Sequence, residues 1–263
     1  MKTSENFMSH WPEELFDLIY FPQRNDKLDA LANLAENENW DYQSTTSDYP
    51  KPVLYNYLRF TYKRLREEGK IEISDDAQYL TFNTGLVTNN QEPIFLLCNV
   101  NRNSTSIPWF FIGWKRRGEQ DLSKFSRLPE MANFFDDPQY LLFDSRKDLR
   151  VNIEHIVEEN KERFPDPYNQ MDNYPLQTLL KGAIDNAKER VKRNYKTAIP
   201  QYYDGKLQLL LPLCLNTPEV ADLALVVEKQ GNDFYRASTC LTLDMSYNNA
   251  RLLARPDRDW LVP

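Results

Sequence analysis

The sequence predicts an α+β fold, with two antiparallel β meanders, packed helices and a short helical N-terminal segment. Three observations predict it. Runs rich in aromatic and β-branched residues gather in two separate stretches, near 79–114 and 206–243, joined internally by turns of hairpin length. Apolar residues at helical spacing occupy the chain before and between those stretches. Charge is also divided. Residues 1–50 hold ten acidic and three basic side chains and so carry the whole net charge of −7, whereas residues 51–263 hold 29 of each.

Within the acidic segment, Leu15, Leu18 and Ile19 in 11–20, and Leu28, Leu31 and Leu34 in 27–40, predict two short helices packed on the body or on a partner. The polar run Gln43-Ser-Thr-Thr-Ser-Asp-Tyr-Pro50 then reads as a linker. It divides the chain into an acidic helical segment, 1–50, and a single α+β domain, 51–263. From Pro52 the residues Leu54, Tyr57, Leu58, Thr61, Tyr62 and Leu65 recur at helical spacing and Gly69 closes the helix, with Arg59, Lys63, Arg64 and Arg66 forming a basic stripe. The first meander covers 79–83, 94–100 and 109–114. Helices follow at 151–164 and at 176–194, the second with Leu176, Leu179, Leu180, Ala183, Ala187 and Val191 on one face. The second meander covers 206–215, 221–229 and 234–243. Pro212 interrupts what otherwise reads as a central strand, so a bulge or an edge is expected there. No internal repeat of solenoid length is visible.

Composition narrows the function classes. With 41% hydrophobic residues the chain has material for a substantial core, and no stretch approaches the roughly 20 apolar residues of a membrane span. The N-terminus lacks the layout of a secretory signal, so a cytosolic protein without membrane attachment is expected. Cys98, Cys214 and Cys240 are odd in number, far apart and set in apolar runs, which predicts buried, reduced thiols. Seven glycines and the lack of phosphate-loop, Gly-x-Gly-x-x-Gly, Gly-x-Ser-x-Gly and Cys-x-x-Cys patterns disfavour common nucleoside triphosphatases, dinucleotide oxidoreductases and serine hydrolases. Two histidines without metal-type spacing argue against a His-rich metal centre, and no metal or cofactor is expected. The Asp136-Asp137 pair has the chemistry to hold a hard cation, but Phe-Asp-Asp-Pro reads more simply as a helix-starting turn.

Candidate site residues concentrate late in the chain. Lys181, Lys188, Arg190, Lys192, Arg193 and Lys196 stand against Asp185 and Glu189, and Tyr195, Tyr202 and Tyr203 follow. Guanidinium forks beside aromatic rings suit phosphate clamping and base stacking; a solvated helix face is the alternative. Arg190, Arg193 and Lys196 would take phosphates, Tyr195 or Tyr202 would stack, and Asn83, Asn248 and Asn249 would read polar edges, with Gln201 and Arg251 in the same site. Asn83-Thr-Gly85 is either a plain turn or a turn whose N–H groups meet an anion. Arg251 has two readings, a phosphate partner or an ion pair with Asp257. His155, with Glu158 or Glu159 one helical turn away, is either a structural residue or a proton shuttle.

The chain resembles a bacterial and fungal family, domain-of-unknown-function family 3825. The resemblance rests on Leu54-Tyr-Asn-Tyr-Leu58 with Arg64-Leu65, Phe82-Asn-Thr-Gly-Leu86 with Glu92-Pro-Ile94, Leu128-Pro129 and Phe135-Asp-Asp-Pro138. It continues through Glu154-His-Ile156, Arg193-Asn-Tyr-Lys-Thr-Ala-Ile-Pro-Gln-Tyr-Tyr203, Leu209-Leu-Leu-Pro-Leu-Cys-Leu215 and Tyr247-Asn-Asn-Ala-Arg-Leu-Leu-Ala-Arg-Pro-Asp257. It covers roughly 52–262 and leaves the acidic N-terminus outside. Members occur near or fused to predicted RNA-binding modules of the Oskar/LOTUS winged-helix type, so the resemblance implies a connection with RNA and supplies no catalytic residues. The leading expectation is a domain that binds RNA or a nucleotide. Two others stand beside it: an enzyme acting on phosphate esters through His155, and an interaction module whose residues 1–50 recruit a protein partner.

Overall fold

In the computed structural model the long helical pattern from Pro52 becomes helix α3, whose start and burial follow from its sequence. The structure describes residues 11–41, 49–103, 106–231, 233–256 and 260–261. Proline at the first position of Pro52–Glu67 has its φ preset, and the face bearing Leu54, Leu58, Thr61, Tyr62 and Leu65 is buried. Ahead of α3 lie α1 (Leu15–Leu18), β1 (Ile19–Tyr20) and α2 (Arg24–Leu34). After it come β2 (Glu72–Ile73), β3 (Tyr79–Val87), β4 (Pro93–Val100) and β5 (Trp109–Arg116). These form one sheet in the order β1-β5-β4-β3-β2, antiparallel except that β1 runs parallel to β5 through Ile19 and Trp109. Leu15, Leu18, Ile19, Leu28 and Leu31 are all buried, so the apolar faces of the N-terminal helices are used on this body. Tyr62 Oη donates to Pro12 O at 2.7 Å and Trp114 Nε1 to Lys27 O at 2.7 Å, tying the same segment down. The linker read at 43–50 lies outside the described residues except for Tyr49 and Pro50.

The second half opens with β6 (Asp148–Val151), α4 (Ile153–Asn160) and α5 (Asn173–Arg193). It continues with β7 (Ile199–Tyr203), β8 (Lys206–Leu213), β9 (Leu223–Gln230), β10 (Phe234–Leu241) and α6 (Leu243–Arg251). Its sheet runs β6-β10-β9-β8-β7, with β6 parallel to β10 and every other pair antiparallel. Leu176, Leu180, Ala183, Ile184, Ala187 and Val191 of α5 pack on Leu209, Leu211, Leu213, Leu225 and Val227, which is the alternation expected of strands with one face against helices. Pairing of β7 with β8 stops at Leu210, so β8 is a local edge at Pro212, as its missing N–H requires. Asp137 caps a short 3₁₀ turn, Pro138–Leu141, by accepting from Gln139 N at 2.9 Å.

Packing separates the chain into two units, Met1–Asn133 and Phe134–Pro263. The break at residue 50 is therefore one of charge, whereas the break in contacts lies between Asn133 and Phe134. Both units share one topology: an edge strand, two helices, then a four-stranded antiparallel meander whose last strand returns parallel to the first. The second helix of each packs on the corresponding strand, α3 on β3 and α5 on β8. A topological repeat thus exists where the sequence shows none, because two surfaces of the same architecture need only matching burial patterns, not matching residues. Both parallel edge strands escaped the sequence reading, and so did β2, β7 and α6. The missed strands have two to five residues, too few to show a period, and the nine residues of α6 were read only as a polar segment after the last strand.

Candidate functional site

An open groove of about 740 Å³ runs along α5 in the second unit. One wall is the helix face that carries Leu179, Gly182, Asn186, Arg190 and Arg193, spaced at three and four residues as one side of a helix requires. The opposite wall is the end of β8 and the loop after it, with Pro212, Cys214, Asn216, Thr217, Pro218 and Glu219. That loop is braced. Asp222 accepts from Leu215 N at 2.6 Å, Asn216 N at 3.1 Å and Asn216 Nδ2 at 3.2 Å, and Tyr168 Oη donates to Asn216 Oδ1 at 2.6 Å. The rim is consequently set before any ligand arrives.

Two guanidinium groups stand at one end of the groove. Arg190 is half-buried and its Nη1 lies 3.1 Å from Cys214 Sγ, while Arg193 is exposed. Neither makes an ion pair with a carboxylate among the described residues. Two other cations of the helix are engaged locally: Lys192 with Glu189 at 2.6 Å and Lys188 with Asp185 at 3.8 Å. The hydrogen bond from Lys192 holds the Glu189 carboxyl below the usual carboxylate range, with the charges of Lys192 and Arg193 adding to the effect. On α3, the corresponding helix of the first unit, Arg59 is paired with Glu14 at 2.6 Å and Arg64 with Glu68 at 2.8 Å. Arg59 and Arg64 of α3 therefore have carboxylate partners, whereas Arg190 and Arg193 have none within ion-pair distance among the described residues.

Gly182 adds a further observation. It sits inside a 21-residue helix, where glycine costs roughly 0.5–1 kcal/mol relative to alanine. A Cβ built there would meet nothing within 4 Å, so nothing in the fold requires the glycine.

The remaining predicted residues fall elsewhere. Gln201 is buried in β7, donating from Nε2 to Gln208 Oε1 at 2.9 Å and accepting from Asn249 Nδ2 at 3.1 Å. Asn248 Nδ2 donates to Asp244 O at 2.9 Å. The 199–203 strand and the 248–251 segment do come together as the sequence reading requires, but α6 lies directly on β7 and these amides bond one another. A smaller hollow of about 220 Å³ beside them is bordered by Tyr195, Lys196, Pro200, Leu253 and Arg255. Tyr195 is exposed, and Tyr202 packs edge-on against Phe134 with ring centroids 4.9 Å apart. Arg251 stands in the last turn of α6, and its proposed partner Asp257 lies outside the described residues.

Asn83 belongs to the first unit. The segment read as a turn is an irregularity inside β3, where Asn83 Oδ1 accepts from Gly85 N at 2.9 Å and Thr84 Oγ1 from Leu86 N at 3.2 Å, so two N–H groups are satisfied internally. Gly85 has φ +74° and its absent Cβ would lie 2.5 Å from Tyr57 Oη, the group that donates to Thr84 O at 3.0 Å. The glycine is needed for a bulge and a close approach. His155 is exposed in the first turn of α4, its backbone N–H 3.4 Å from the capping Asn152 Oδ1, and it does not border the groove.

The thiols also divide. Cys98 and Cys240 are buried, and burial pushes the Cys98 thiol well up and the Cys240 thiol up to about 12. Cys214, expected in the core, is half-buried and borders the groove, because the chain has left β8 one residue earlier. Asn186, Cys214, Asn216, Gly182 and the bracing Asp222 were not found from sequence. The hairpin-length connection Asn216-Thr-Pro-Glu219 was their only signal, and it reads as a plain turn.

Among the described residues no helix is long and apolar enough to cross a membrane. A family model described as a domain of unknown function, DUF3825, matches residues 31–260. The match begins within the acidic segment, ahead of the 52–262 span of the resemblance. No curated protein and no solved structure matches the chain.

Proposed function

The chain belongs to the DUF3825 family, and we propose that its second unit binds RNA or a nucleotide in the groove along α5. The observation that carries this reading is the pair Arg190 and Arg193, placed without carboxylate partners at the end of an open groove whose other wall is held by Asp222. Two guanidinium forks at adjacent helical turns match the oxygens of a phosphate, and the amides of Asn186 and Asn216 offer donors and acceptors to a base or sugar. The association of this family with predicted Oskar/LOTUS-type RNA-binding modules points the same way, and a cytosolic setting fits an RNA ligand. In this reading Gln201, Asn248 and Asn249 are structural, and Asn83 serves the bulge of β3.

A binding titration with short single-stranded RNA and ribonucleotides tests the proposal. Replacing Arg190 and Arg193 together by Gln should weaken binding about 100-fold, the loss of charge-assisted hydrogen bonds, with the melting temperature nearly unchanged. His155→Ala should leave the affinity as it is. Wild-type protein that binds none of these ligands in a salt-dependent way would overturn the reading.

A further inference from the structure

We infer that the ligand of this groove, taking the preceding reading as the premise, is a nucleoside carrying a terminal phosphate monoester, and that an internal stretch of a polynucleotide is not its target. The shared chemistry is one dianionic head joined to an uncharged, partly apolar body. It is present in a free nucleoside monophosphate and in the 5′-phosphorylated end of an RNA.

Charge distribution carries the inference. The cations of the groove stand together at one end, Arg190 and Arg193, whereas Thr178, Leu179, Gly182 and Asn186 continue the same helix face without charge. From Thr178 to Arg193 that face extends about 22 Å at the helical rise. A polynucleotide laid along it would place phosphates beside residues that cannot pair them, and would pass Glu189 and Glu219, which also border the groove. The unit as a whole, 134–263, has 17 basic and 20 acidic residues, so it presents no broad positive field of the kind that attracts a polyanion. A single phosphate held by the two guanidinium groups needs no cation along the rest of the face and no broad positive field. Its nucleoside would lie over Gly182, where the missing side chain leaves open space that the fold itself does not use.

The experiment compares four probes on the full chain by calorimetric titration: adenosine and uridine 5′-monophosphates, and one ten-nucleotide RNA with either a 5′-phosphate or a 5′-hydroxyl. The monophosphates and the 5′-phosphorylated RNA should bind, with the 5′-hydroxyl RNA weaker by about tenfold or more. The slope of log affinity against log salt should be about −1 to −2. Gly182→Leu should abolish binding of all probes while the melting temperature holds or rises. Because Cys214 borders the groove, a bound monophosphate should slow its labelling by a thiol reagent, a readout that needs no variant. Equal affinity for the two RNAs with a steep salt slope would overturn this inference and leave RNA binding standing. Binding that survives Gly182→Leu would also overturn it. Failure of every probe would remove both this inference and its premise.

Discussion

Cys240 shows at the level of one residue how the surroundings set a property that composition only hints at. All three cysteines lie in apolar sequence, yet Cys98 and Cys240 are sealed in the sheets while Cys214 faces the groove beside Arg190. A thiol reagent under native conditions should therefore modify Cys214 first and spare the other two. Burial raises the folded pKa of Cys240 to about 12, against an ordinary thiol value of about 8.5 in the unfolded chain. The raised value means the folded state holds its proton while the unfolded state loses it. Stability from this group is complete below pH ~8.5 and falls by up to about 1.4 kcal/mol per pH unit until the folded thiol ionises. Denaturant titrations from pH 8 to 11 should show that decline, and Cys240→Ala should flatten the part due to this thiol. Gly85 makes the complementary point: the sequence offered it as a turn residue, but β3 runs on to Val87, and the demand for φ +74° and for closeness to Tyr57 came only from the packed chain.

Among the elements, length decided what could be read. The 16 residues of α3 and the 21 of α5 show several turns of apolar periodicity, and each of the six longest strands overlaps a predicted one. Edge strands of two residues, such as β1 and β2, hold no periodic signal and exist because a neighbouring strand offers free backbone groups. The 216–219 loop illustrates the same limit for function. Its sequence announces a turn, whereas its fixed shape depends on Asp222 and Tyr168 from outside the turn. Asp222→Ala removes an acceptor for three N–H donors and should cost about 1–3 kcal/mol. The expected signature is a lowered melting temperature together with weaker ligand binding, measured on the same preparation. Unchanged values of both would show that the rim needs no brace.

For the whole molecule, the division into Met1–Asn133 and Phe134–Pro263 has a direct consequence for truncation. Removing residues 1–50 strips the first unit of Leu15, Leu18, Leu28, Leu31 and the parallel strand β1, all of which are buried or paired. Scanning calorimetry of the 51–263 fragment should show the first unit's transition lost and the second's retained, and a 134–263 fragment should melt cooperatively by itself. A 51–263 fragment with the full melting enthalpy of the intact chain would place the boundary at residue 50, where charge alone puts it. The sequence by itself determined the α+β class, the main helices and the two meanders, because periodic burial is written locally at spacings of two and 3.6 residues. It also singled out Arg190 and Arg193, though as part of a basic helix face. Only the tertiary structure decided that these two lack carboxylate partners while Lys188 and Lys192 are paired, that Gly182 faces open space, and that one topology occurs twice. Each of those facts depends on which residues distant in sequence meet in space, and a one-dimensional pattern does not contain that information.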